Sequence, residues 1–194
     1  MSRYTVVVIE SNDEVRHKWS LVEERIKQFT EPLGYYFSLK PSLIIILSNG
    51  LSRDSHVELY EGLKTVGFQI KVASTIHKTP MIALLKALKV LSSGDFFYEE
   101  GVEEEYYVVY IAFRYFNPEY VVEEFKHRGD VLSRILDALI YTGSIPLNLN
   151  LDGVIAVLSL RGLALVERLK SENLYIKIAH SVHGRKAVES AIHG

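Results

Sequence analysis

Ser48-Asn49-Gly50, at the end of an aliphatic run and followed by His56, is the stretch of this chain whose residue types come nearest to ligand chemistry. A glycine at a helix start offers backbone N–H groups to an anion, and a nearby histidine can meet a ligand phosphate. The same residues also make an ordinary turn and helix start with His56 facing solvent, and both readings stand. His77 and His183 follow matching segments, and His180 stands three residues before His183. Imidazole is the usual ligand for zinc-like metals, so a shared site is conceivable, while loop and cap roles are the plainer account. Asp152-Gly153 reads as a hairpin turn. Glu99, Glu100, Glu103, Glu104 and Glu105 read as a solvated linker, because carboxylates this dense repel one another. Seven tyrosines, Tyr35, Tyr36, Tyr106, Tyr107, Tyr110, Tyr115 and Tyr120, could stack a purine or RNA bases, yet fit half-buried sheet positions as well. There is no Walker A loop, no His-Glu-x-x-His, no dinucleotide fingerprint and no nucleophile elbow.

The elements that must position these groups come twice. Ile70-Lys71-Val72-Ala73-Ser74-Thr75-Ile76-His77 reappears about a hundred residues later as Ile176-Lys177-Ile178-Ala179-His180-Ser181-Val182-His183. Leu43-Ile44-Ile45-Ile46-Leu47-Ser48 is matched upstream of the second copy by Val154-Ile155-Ala156-Val157-Leu158-Ser159. Two matched pairs in one order predict a duplicated domain of about ninety residues. In the first copy, valine-rich Tyr4 to Ile9 predicts a strand, and Val15, Trp19, Val22, Ile26 and Phe29 recur at helical spacing. Tyr35 to Leu39 and Leu43 to Leu47 predict a hairpin. A helix from Ser52 or Asp54 to Leu63, a strand over Phe68 to Ala73 and a helix over Met81 to Leu91, opened by Thr79-Pro80, complete the unit. The second copy reads as a strand over Tyr106 to Phe113, a helix over Val121 to Tyr141 and a hairpin of Ile145 to Leu149 with Val154 to Leu158. A helix over Leu163 to Lys170, a strand over Leu174 to Ala179 and a helix over Arg185 to Ile192 follow. The expectation is an α+β protein of two tandem ferredoxin-like βαββαβ domains, each with a trailing helix, over 1–95 and 106–194, joined by an acidic linker over 96–105. Lys71 and Lys177 are expected on exposed strand faces.

The 194 residues are 48% hydrophobic and 24% charged, enough for a real core, and the net charge of −2 provides no global pull toward nucleic acid or anionic lipid. The chain has no cysteine, which excludes disulfides, thiolate metal sites and thiol nucleophiles. No signal segment and no membrane-spanning apolar run is seen, so the expected location is the cytoplasm.

Ile9-Glu10-Ser11-Asn12, Ser48-Asn49-Gly50-Leu51, His56 and Thr79-Pro80, taken in that order with the duplication, resemble the archaeal GTP cyclohydrolase III family. That family has two tandem ferredoxin-like domains related to the palm of nucleotidyl cyclases. The resemblance implies magnesium-dependent opening of the guanine imidazole ring of GTP, giving a formylamino-pyrimidine nucleotide. Magnesium takes hard oxygen ligands and bridges to phosphates. Residue by residue, Glu10 falls where the family has an aspartate, Asn12 and Asp13 lie beside it, and Asp152 falls near the Gly-Gly-Asp turn of the second copy. These four are the implied metal ligands, and Asn49, Gly50 and His56 the implied nucleotide-binding residues. The chain departs from the pattern at Ser42, where the first hairpin has no acid, and at Ala112, which answers Glu10 in the second copy. Asn150-Leu151 replaces the two glycines. The residues thus leave two readings: a purine nucleotide-binding protein, GTP favoured, with or without hydrolytic activity, or a non-catalytic module that senses a ligand, binds RNA or binds protein. RNA is the weaker partner on charge, and assembly into a homo-oligomer stays open.

Overall fold

The computed structural model describes the chain except residues 11–14, 41, 116–117, 151, 170–172 and 194, and it leaves out the side chains of 15–17, 40, 118 and 150. The first half runs β1 (Ser2–Glu10), α1 (Val15–Thr30), β2 (Tyr35–Lys40), β3 (Leu43–Leu47), α2 (Arg53–Lys64), β4 (Gln69–His77), α3 (Pro80–Leu91) and β5 (Phe96–Tyr98). The second runs β6 (Tyr106–Phe113), α4 (Val121–Tyr141), β7 (Ile145–Asn150), β8 (Gly153–Val157), α5 (Leu160–Val166), β9 (Leu174–Ser181) and α6 (Gly184–His193). The sheets are ordered β2-β3-β1-β4-β5 and β7-β8-β6-β9. In each, the first strand of the half is central and antiparallel to both neighbours. The edge hairpin strands β2 and β7 carry a register shift at the same place, between Ser38 and Lys40 and between Pro146 and Asn148.

The central strands are apolar on both faces because both faces are covered. Alternation sends Tyr4 and Val6 of β1 to one side and Val7 and Ile9 to the other, where α1 and α2 add Val22, Ile26, Leu59 and Leu63. In the second half, Val109 and Ile111 of β6 face α4, which supplies Ile135 and Leu139. The remaining faces of the two sheets, with α3 and α6, close on one shared core that holds Tyr4, Val6, Ile45, Leu47, Ala83, Ala87, Tyr106, Val108, Val157, Ala187 and Ala191.

Each trailing helix is anchored by the other half. The N–H of Met81, at the start of α3, donates to the carbonyl of Gly143 at 3.0 Å, and the N–H of Arg185 in α6 donates to Leu33 at 3.1 Å. Gly184 lies so close to β3 that an added Cβ would sit 2.5 Å from Leu47 Cβ and 2.9 Å from its carbonyl oxygen.

Four expectations change. The second helix of the second half is Leu160–Val166 rather than Leu163 to Lys170, because the Ser159 hydroxyl caps it by accepting from Gly162 N–H at 3.0 Å. The strand expected to stop at Ala73 continues to His77. The stretch 96–105 is not only a linker: Phe96–Tyr98 forms β5, parallel to β4. Lys71 does not stand free on an outer face, because it is three-quarters buried and pairs with Glu10 at 3.4 Å. No helix among the described residues is long and apolar enough to cross a membrane.

Candidate functional site

Asn49, Gly50 and His56 are brought together, at the end of β1 where the chain starts, but their polar groups are used inside the protein. Asn49 is fully buried: its Oδ1 accepts from Arg3 N–H at 2.6 Å, its Nδ2 donates to the Glu104 carbonyl at 2.6 Å and its own N–H donates to the Tyr106 hydroxyl at 3.1 Å. That hydroxyl in turn donates to the Arg3 carbonyl. Gly50, whose φ of +80° suits only glycine, gives its N–H to Glu103 Oε2 at 2.6 Å. The other oxygen of Glu103 pairs with Arg3, which is 1% exposed, bonds to Ser74 Oγ at 3.1 Å and lies 4.2 Å over the Tyr98 ring. A carboxylate of the chain therefore occupies the anion position that the glycine turn offers.

His56 is equally committed. Its Nδ1 lies 2.6 Å from the Ser52 carbonyl, which can only accept, so Nδ1 carries the proton and Nε2 accepts from the Thr5 hydroxyl at 2.8 Å. Thr5 then accepts from Ser48 at 2.7 Å. Burial between Phe29 and Tyr98 pushes the imidazole down to about 4, against the Ser52 bond and with some help from Arg3. It is a neutral core histidine with both ring nitrogens bonded inside the protein.

Glu10 stands at the far end of the same strand. Seven residues of extended chain separate it from Arg3, roughly 23 Å. Its carboxylate is half exposed and ion-paired to Lys71. Ser42 contributes a backbone carbonyl to Ile9 N–H at 3.0 Å. Asn12 and Asp13 fall outside the described residues. Asp152 belongs to the other sheet, is 82% exposed, and meets the buried Arg128 at 3.3 Å. Arg128 is also held by Glu124 at 2.9 Å. Among the described residues no three His, Asp or Glu side chains gather as a metal would need. A magnesium ion wants several hard oxygens around one point, and one half-exposed glutamate paired to a lysine does not supply them. The described donor set does not fit the ion.

The three histidines do not converge either. His77 Nδ1 accepts from Thr79 N–H at 2.9 Å, and His180 pairs with Glu105 at 3.0 Å. His183 packs by Gly50, with its Nδ1 buried and without a hydrogen-bond partner among the described residues.

The recess with binding chemistry lies elsewhere, where the start of α3 meets the end of α4 and the start of α5. It measures about 540 Å³ and is lined by Lys78, Thr79, Met81 and Ile82 from the first half and by Ile140, Tyr141, Thr142, Leu160 and Arg161, among others, from the second. Size, apolar walls and a position between two halves are those of small-molecule sites. Lys78 and Arg161 are both exposed, no carboxylate lines the walls, and Lys78 also feels the Glu104 carboxylate, which stands in an adjoining recess. The Tyr141 ring is 92% exposed. The positive character comes from side chains alone, since the α3 N–H of Met81 is already taken by Gly143. None of Lys78, Tyr141 or Arg161 carries a motif, and only the meeting of the two halves makes them neighbours.

These features define a class: an α+β protein whose two sheets, antiparallel but for the β4–β5 pair, share one core and leave a cation-rimmed cleft between the halves. No family model matches the chain, and no curated protein does. Two solved structures of bacterial light-regulated adenylyl cyclase align over 93% of this chain and 73% of theirs, at 12% and 11% identity with TM-scores of 0.28 and 0.25. Likeness at that level carries no argument about what this chain does.

Proposed function

We propose that the protein binds a purine nucleotide, GTP favoured, in the cleft between its halves, as a binding protein and not as a ring-opening hydrolase. The observation that carries this reading is the pairing of two exposed cations, Lys78 and Arg161, with the exposed Tyr141 ring around a recess whose walls hold no acid. Phosphates bind where lysine and arginine are unneutralised, and a purine stacks on an exposed aromatic ring. We further read the halves 1–95 and 106–194 as ferredoxin-like domains of common origin. The same strand order, the same register shift and the reciprocal anchoring of α3 and α6 support this. The family likeness to GTP cyclohydrolase III is then one of descent.

Titration calorimetry with GTP tests the site. Saturable binding by the native chain, lost in Lys78→Ala/Arg161→Ala and kept in Glu10→Ala, is expected. Both cations are exposed, so their removal leaves the fold intact. Binding indifferent to the double substitution places the ligand elsewhere and rejects the cleft.

A further inference from the structure

The two sheets differ at one edge. In the first, β5 runs parallel to β4, with Val72, Ala73 and Ser74 opposite Phe96, Phe97 and Tyr98. Val72 N–H donates to Asp95 at 2.8 Å, and Ser74 accepts from Glu99 N–H at 2.9 Å. The second sheet stops at β9. By the repeat, Ile178 stands where Val72 does and His180 where Ser74 does, and the β6–β9 register matches that of β1–β4. Ile178 and His180 therefore turn their N–H and C=O groups outward, where among the described residues no strand meets them.

Side chains tell the same story. Val72 is fully buried, whereas Ile178 and Ile176 are partly exposed. The helix over that face, α5, has 7 residues where α2 has 12, and α2 covers β5 by stacking Tyr60 on Phe96 at 5.4 Å. Charge differs as well. Lys71 is paired with Glu10, but Lys177 lies opposite Tyr110, Ala112 stands in the place of Glu10, and Lys177 has no carboxylate among the described residues.

We propose that the open edge of β9 receives an extended peptide segment of a partner protein, added parallel to β9 as β5 is to β4, with apolar or aromatic side chains and a carboxylate for Lys177. This is strand addition: main-chain bonds supply affinity and alternate side chains select the sequence. The internal β5 sets the pattern, an aromatic triplet preceded by an acid, Asp95, which in the β4–β5 register falls opposite Lys71, the counterpart of Lys177. It is independent of the nucleotide cleft, which shares none of these residues.

The probe is a synthetic peptide with the sequence of residues 94–100, read by amide hydrogen exchange. Saturable slowing of the Ile178 and His180 amides is expected. Ile178→Pro removes an outward donor without touching the β6 ladder and is expected to abolish the effect. Lys177→Glu, a change at a half-buried edge-strand position outside the core, is expected to weaken binding roughly three- to tenfold at low salt, with an unchanged thermal melt as the check that the fold is kept. No slowing at millimolar peptide, or slowing unchanged in Lys177→Glu, overturns the proposal. So does a dimer, seen by sedimentation, that Ile178→Pro dissolves, since the edge then belongs to a second copy.

Discussion

Burial holds His56 neutral, and that has a sign. Its folded value lies near 4 and its ordinary value near 6.5, so the unfolded chain takes up the proton first as pH falls. The stability it contributes is complete above about 6.5 and is lost as pH drops toward 4, a difference on the order of 3 kcal/mol. Glu99 also favours the folded state on the alkaline side: burial opposes its ionisation, but bonds from Lys86 and Ile76 N–H outweigh that and hold it below the usual carboxylate range. Urea melts of the native chain and of His56→Gln between pH 7 and 4 separate the two, and the histidine share is expected to vanish in the variant. Arg3 and Glu103 are the second residue-scale case. Removing Glu103 alone strands a buried guanidinium and Gly50 N–H, with an expected cost of about 3 kcal/mol. Arg3→Met/Glu103→Leu is expected to cost less than the two single changes summed, in a double-mutant cycle.

At the scale of elements, the strands and long helices were legible because two-sided burial and helical spacing leave plain signatures: β1 in its valines, α1 in Trp19, Val22 and Ile26. The misses have physical causes. Leu160–Val166 starts at a cap, and Ser159 was a better marker than the apolar run after it. β5 is three residues long, too short for any periodicity, and its glutamate-rich flank resembled a linker until Glu103 and Glu99 found Arg3, Gly50 and Lys86. Capping at α2 is modest in energy: Ser52→Ala is expected to cost about 1 kcal/mol by thermal melting. Anchoring of α6 is a stricter test of the shared core. Gly184→Ala pushes a methyl into Leu47 and its carbonyl, with an expected loss of about 1–3 kcal/mol.

For the whole molecule, the repeated segments pointed to two similar halves, and the protein has two sheets whose first four strands follow a matching order. The candidate site was less legible. Asn49, Gly50 and His56 do assemble, yet as a core network, and Glu10 lies at the opposite end of β1 from them. Local sequence cannot reveal that a distant glutamate fills an anion position, nor that Lys78 and Arg161 meet across two halves. A protein that binds nucleotide in this cleft needs no magnesium for affinity, because its own cations meet the phosphates. The most direct measurement is GTP titration in magnesium and again in EDTA, with guanine absorbance followed throughout. Saturable heat of similar affinity in both, with unchanged absorbance, is the predicted result. Absence of heat in both, or magnesium-dependent loss of guanine absorbance, contradicts it.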